Sequence, residues 1–182
     1  VDEEASFENP NNPESTPFRL YHASKLLSNN ATWSFWMTAK PHYSLVSTHP
    51  VYVLGHNLVQ TSPEDIGSNG VLWKAVRTGA LSDASIGVHV QDVAEAHIRA
   101  LDPKIPDGAK YLLAGKQSDW KGVAQIVHRD YPNLGAKISV EAEGGLLPFD
   151  TSKAEKELGM KWRSWEQMIH EVVDQQLSLA KK

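Results

Sequence analysis

The 182-residue sequence has no cysteine, which removes disulfide stapling, thiolate catalysis and sulfur-ligated zinc or iron from its chemistry. No run approaches the roughly 18 consecutive apolar residues of a membrane-spanning helix, and the amino end lacks the basic-then-apolar pattern of a signal peptide. An excess of positive charge is lacking too: 18 Lys and Arg stand against 22 Asp and Glu, so no basic surface is expected to attract nucleic acid or an anionic membrane. The eight histidines include no His-x-His or His-Glu-x-x-His spacing, and no metal site is expected from them. Internal repeats and low-complexity tracts are also missing. Together these absences predict a cytoplasmic protein with neither nucleic acid nor a membrane as partner.

What remains is 41% hydrophobic and 22% charged, the composition of one ordinary globular domain. Residues 1–15, acidic and rich in Asn and Pro, read as an irregular surface segment, and residues 16–182 as the packed part. Thr16 and Pro17 start a helix of about six turns that Pro41 stops. A strand-like run covers 43–48, is interrupted by Pro50 and resumes over 51–54. A short helix closed by Gly79, a strand at IGVHV and a helix capped by Asp92 follow. After these come the strand AKYLLAG, a helix from near Ser118 to before Pro132, and the strand KISVEA. A helix from Asp150 to Gly159 precedes the last one, for which Ser164 and Gln167 form a capping box. Strands alternating with helices predict an α/β fold with parallel pairing, because parallel strands need crossover connections.

The segment YHASK places Tyr21 and Lys25 four residues apart on the first helix, hence on one face. A tyrosine hydroxyl is a poor acid or base at neutral pH unless a nearby cation favours the phenolate, and a lysine at this spacing is such a cation. Tyr-x-x-x-Lys is also a common chance pairing of a core aromatic with a solvated amine. The surrounding segments distinguish the two readings. YHASK, THPVYVLG with Pro50 and Gly55, VHVQDVAEAHIRAL, YLLAG and DTSKAEKELGM occur in the order and at the separations of the extended short-chain dehydrogenases/reductases. Over nearly its whole length the chain resembles that family, above all the branch of dihydroflavonol reductases and fungal aldehyde or ketone reductases.

The resemblance implies the carboxy-terminal part of a Rossmann-like fold with a small substrate-binding subdomain, and NAD(P)H-linked carbonyl chemistry on a small molecule. It implies Tyr21 as the acid that protonates the carbonyl oxygen. Lys25 becomes the cation that eases that transfer and holds the nicotinamide ribose, with Pro50 and Val51 beside the nicotinamide. His49 and His56 flank the Pro50 loop and are candidate substrate-pocket residues; they replace an Asn and a Pro of the family pattern, and His89 replaces an Asp. The Gly-rich turn that holds the pyrophosphate does not occur in the sequence, so weak or no binding of NAD(P)H by these 182 residues alone is expected. Three functions follow: a carbonyl reductase whose redox step needs a cofactor-binding half; a shortened, cofactor-independent isomerase, dehydratase or cyclase using Tyr21 and Lys25; or a non-catalytic binding remnant. A sheet missing its upstream strands exposes an edge, so a homo-oligomer or a complex with a missing amino-terminal half is expected.

Overall fold

A computed structural model describes residues 16–181; the segment 1–15, read as irregular, lies outside the described residues. The chain divides into two compact units, the first ending at Leu45 and the second beginning at Val46.

The first unit is dominated by helix α1, Pro17–Ala39. The Thr16 side chain accepts a hydrogen bond from Arg19 N, and proline occupies the first turn, where its missing N–H is not needed. The helix ends at Lys40, which takes a left-handed conformation (φ 43°) and returns its N–H to Trp36 O. Pro41 follows directly, and a proline disfavours continuing a helix. Inside the unit Trp33 and Trp36 meet edge to face with ring centroids 5.6 Å apart, and the Trp33 indole N–H donates to Asn29 Oδ1.

The second unit alternates short strands and helices: β1 Ser47–Pro50, β2 Val53–Leu54, α2 Asn69–Thr78, β3 Val88–His89, α3 Val90–Arg99, β4 Lys110–Leu113, α4 Trp120–Asp130, α5 Ser152–Glu157 and α6 Trp165–Leu179. Both ladders are parallel, β1 with β4 and β2 with β3, as the alternation predicts. Pro50 is the last residue of β1, opposite Leu113. Having no N–H, it leaves Val51 N to make the next bond, to Leu113 O.

Two apolar cores hold the helices on these strands. Leu72 and Val76 of α2, Val123 and Val127 of α4, and Met168, Ile169 and Val172 of α6 form one. Val88, Ala96 of α3, Tyr111 and Leu113 of β4, and Ala154 and Leu158 around α5 form the other. Trp120 and Trp165 are buried in the first core because their indole N–H groups find the carbonyls of Ser82 and Lys116. Gly79 closes α2 in a left-handed conformation (φ 72°), and a Cβ there would lie 2.9 Å from Lys137 O, so a side chain is excluded twice over.

Three sequence expectations need correction. Residues 43–46 form no strand, and ladder pairing begins only at Ser47. KISVEA is likewise not a strand: Lys137 N bonds to Val76 O and Ile138 plugs the first core, after which the chain turns. β-propensity marks side chains that fit a half-buried surface, and here that surface is the end of a helix. Asp92 does not cap α3. The cap is His89, whose Nδ1 accepts from Gln91 N, and Asp92 sits in the first turn with its carboxylate committed elsewhere.

Candidate functional site

The loop that follows β2 is held by side chains, not by a ladder. Gly55 donates its N–H to Asn69 Oδ1 (3.1 Å) and accepts from Asn69 Nδ2 (2.7 Å), so one buried amide at the start of α2 clamps both sides of that residue. Two residues on, Asn57 is clamped in the same way by Gln175 of α6, with both bonds at 2.8 Å. Between them His56 N donates to Glu171 Oε2 at 2.7 Å. Gly55 itself has φ 130°, a conformation that L side chains avoid, and a Cβ would stand 2.9 Å from Glu171 Oε2 and 3.1 Å from Val90 Cγ1.

Glu171 reaches a second partner. The His89 ring is fully buried and its Nε2 lies 3.1 Å from Glu171 Oε1, at ion-pair distance but off the line of a hydrogen bond. Nδ1 of the same ring accepts from Gln91 N at 3.1 Å. A nitrogen that accepts carries no proton, so this bond assigns His89 as the neutral Nε2–H tautomer. Among the described residues no lysine or arginine pairs with Glu171.

These residues enclose a cavity of about 490 Å³, lined by residues 53–59, 66–69, Val90, Gln91, Ala94 and Glu171. Its size is that of a small-molecule site. Val53, Leu58, Val59, Ile66, Val90 and Ala94 make most of the lining apolar, with Glu171 as the carboxylate and His56 as the imidazole. Position depends on Arg163, whose backbone N–H and guanidinium both bond to the buried Asp92 carboxylate. That pair ties the first turn of α3, which lines the cavity, to the start of α6, which carries Glu171.

The candidates read from the sequence fall in both units. Tyr21 and Lys25 lie in the first, on α1, with Lys25 Nζ 5.3 Å from the Tyr21 ring centroid. His49, Pro50, Val51 and His56 lie in the second. His56 lines the cavity, whereas His49 lies on β1 with Nε2 2.9 Å from Ser47 Oγ and does not line it. Burial, with the charge of Lys110 adding to it, holds the His49 pKa below its ordinary value of 6.5. Asn69, Glu171 and Gln175 were not legible as site residues, since each reads as an ordinary polar residue of a surface helix, and Asp92 was read only as a helix cap within the family-like segment.

One cluster outside the cavity has a ligand-like arrangement. Asp130, Glu166 and His170 bring one oxygen or nitrogen each to within 4.8 Å. The Arg129 guanidinium bonds to both carboxylates, and His170 Nε2 lies 2.8 Å from Asp130 Oδ2. Those hydrogen bonds hold the Asp130 carboxyl well below the usual carboxylate range. Arginine already supplies the positive charge that a cation would bring.

No protein-family model matches the chain. It is 56% identical over 185 residues to a ketoreductase of Aspergillus fumigatus, covering 99% of this chain and 56% of that protein. It is 29% identical to a ketoreductase of Cercospora nicotianae, covering 89% of the chain and 49% of the relative. Among solved structures, the yeast methylglyoxal/isovaleraldehyde reductase complexed with NADPH aligns with a TM-score of 0.78 at 22% identity, over 98% of this chain and 56% of that one. Vestitone reductase from alfalfa aligns with a TM-score of 0.67 at 19% identity, over 87% and 52%. The chain thus spans about half the length of the curated relatives it matches.

Proposed function

Since the chain belongs to the extended short-chain dehydrogenase/reductase family, we propose that it forms the proton-donating and substrate-holding part of an NAD(P)H-dependent carbonyl reductase acting on a small molecule. The observation that carries this reading is the Tyr21 and Lys25 pair, with the ammonium 5.3 Å from the ring centroid on one face of α1. Tyr21 gives its hydroxyl proton to the carbonyl oxygen, and the Lys25 charge stabilises the phenolate that remains. The donor set fits the nicotinamide end of the cofactor, because an ammonium and a hydroxyl match the ribose hydroxyls. The family resemblance assigns Lys25 of the first unit and, separately, Pro50 and Val51 of the second as the residues that would hold it, and the cofactor when bound would supply hydride. The cavity lined by His56 and Glu171, a feature of the second unit taken by itself, is the proposed seat of the substrate, and its strapped loop keeps that wall in place. The ketoreductase at 56% identity supports the same class of reaction.

The test uses the protein expressed from the gene that encodes this sequence. Consumption of reduced nicotinamide is followed with a panel of aldehydes and ketones. Tyr21→Phe is expected to lower kcat by about 10² to 10⁴ with circular dichroism unchanged. Unchanged turnover in that variant refutes the assignment.

A further inference from the structure

We propose that the cavity recognises an apolar molecule bearing a protonated amine, with Glu171 as the group that binds the ammonium; this rests on the reading that the cavity holds the substrate. The apolar half of the statement comes from the lining. Val53, Ile66, Val90 and Ala94 form the walls, and Leu58 and Val59 stand 91% and 78% exposed beside them. Large aliphatic side chains left in water next to a concave apolar surface are covered when a hydrocarbon enters.

The charged half comes from what surrounds Glu171. Its carboxylate lines the cavity with the side chain 32% exposed, so it is neither sealed off nor fully solvated. Oε2 accepts the His56 N–H and Oε1 faces Nε2 of His89. A carboxylate offers about four acceptor positions, so capacity remains toward the cavity. Neither neighbour carries a charge: one is a backbone amide, the other an imidazole whose Nδ1 accepts a hydrogen bond. Neither cancels the negative charge. An anion facing apolar walls favours a cationic partner over a neutral one, and repels a second anion. Glu171 is therefore a specificity residue: it selects among ligands of the cavity by the charge of their head group.

The probes are octylamine, 1-octanol and octanoate, which share a chain and differ in head-group charge. Each is titrated by calorimetry into the 182-residue chain at neutral pH, below its micelle concentration and without cofactor. Octylamine is expected to bind about tenfold tighter than 1-octanol, with octanoate weakest. Glu171→Gln keeps an acceptor for His56 N and should bring octylamine and 1-octanol to within about twofold of each other. Leu58→Ser should weaken all three. An amine that binds no tighter than the alcohol overturns the proposal, as does octanoate binding tightest or an amine preference that survives in Glu171→Gln. The ranking on the unsubstituted chain decides the matter even where the variant does not fold. None of the probes is reducible, so this result and the Tyr21→Phe turnover fail independently.

Discussion

Replacing Gly55 by alanine attacks the cavity wall at the point where backbone and side-chain constraints meet. At φ 130° the backbone lies outside the regions open to L residues, a strain of about 1–3 kcal/mol. The new Cβ also stands 2.9 Å from Glu171 Oε2, so the carboxylate must swing away from His56 N, its 2.7 Å partner. A hydrogen bond to a charged group contributes about 1.5–3 kcal/mol. The two effects together predict a loss of roughly 2.5–6 kcal/mol in equilibrium urea denaturation. They are separable in a double-mutant cycle. With Glu171→Ala already present, Gly55→Ala meets no carboxylate and should cost only the backbone strain and the tight contact with Val90, leaving a coupling of about 2 kcal/mol. A cost below about 0.5 kcal/mol, within the range of an ordinary surface substitution, or an equal cost in both backgrounds, would refute the reasoning.

Asn69→Ala removes both bonds to Gly55 from a buried site and should cost about 2–3 kcal/mol by the same denaturation; a neutral result means the amide clamp contributes nothing. Arg163→Ala leaves the fully buried Asp92 carboxylate without its countercharge and should cost about 3–5 kcal/mol; under about 1 kcal/mol would show that the carboxylate finds other compensation. His49 sets a pH dependence. Its folded-state pKa lies below 6.5 because of burial, so as pH falls through 6.5 the unfolded chain takes up a proton that the folded chain refuses, and stability is lost. Above 6.5 both states are neutral and this contribution is flat. Thermal midpoints of His49→Gln should accordingly fall less than those of the parent between about pH 7 and 5, and parallel curves would contradict the assignment.

Local signals carried far in the sequence. Thr16, Pro17 and the capping box of Ser164 with Gln167 set helix starts because the groups they satisfy lie within three residues. Tyr21 and Lys25 were legible for the same reason, since helical periodicity alone places them side by side. The strands were harder. KISVEA has the composition of a strand, but a ladder needs a partner edge, and there α2 offers only the Val76 carbonyl. Asp92 has the residue type of a cap, yet a distant arginine offers its carboxylate more than a local N–H does. Of the cavity, His56 alone was named from the sequence as a pocket residue. The cavity wall depends on Glu171 and Gln175, separated by 115 and 118 residues from the loop atoms they hold. Nothing in a helix pattern distinguishes a glutamate that faces solvent from one that faces a backbone amide across the fold.

That same separation sets an order of events at the ribosome. Once residues 53–57 have emerged, Asn69 follows 14 residues after Gly55 and can engage it early. Glu171 and Gln175 do not yet exist. At roughly 5–20 residues per second, translating the 115 intervening residues takes on the order of ten seconds. Throughout that interval the β2 loop lacks the two side chains of α6 that hold His56 and Asn57. The wall is complete only when α6 docks, so a nascent chain stalled before residue 171 would carry every residue of the β2 loop and still lack the Glu171 wall of the cavity.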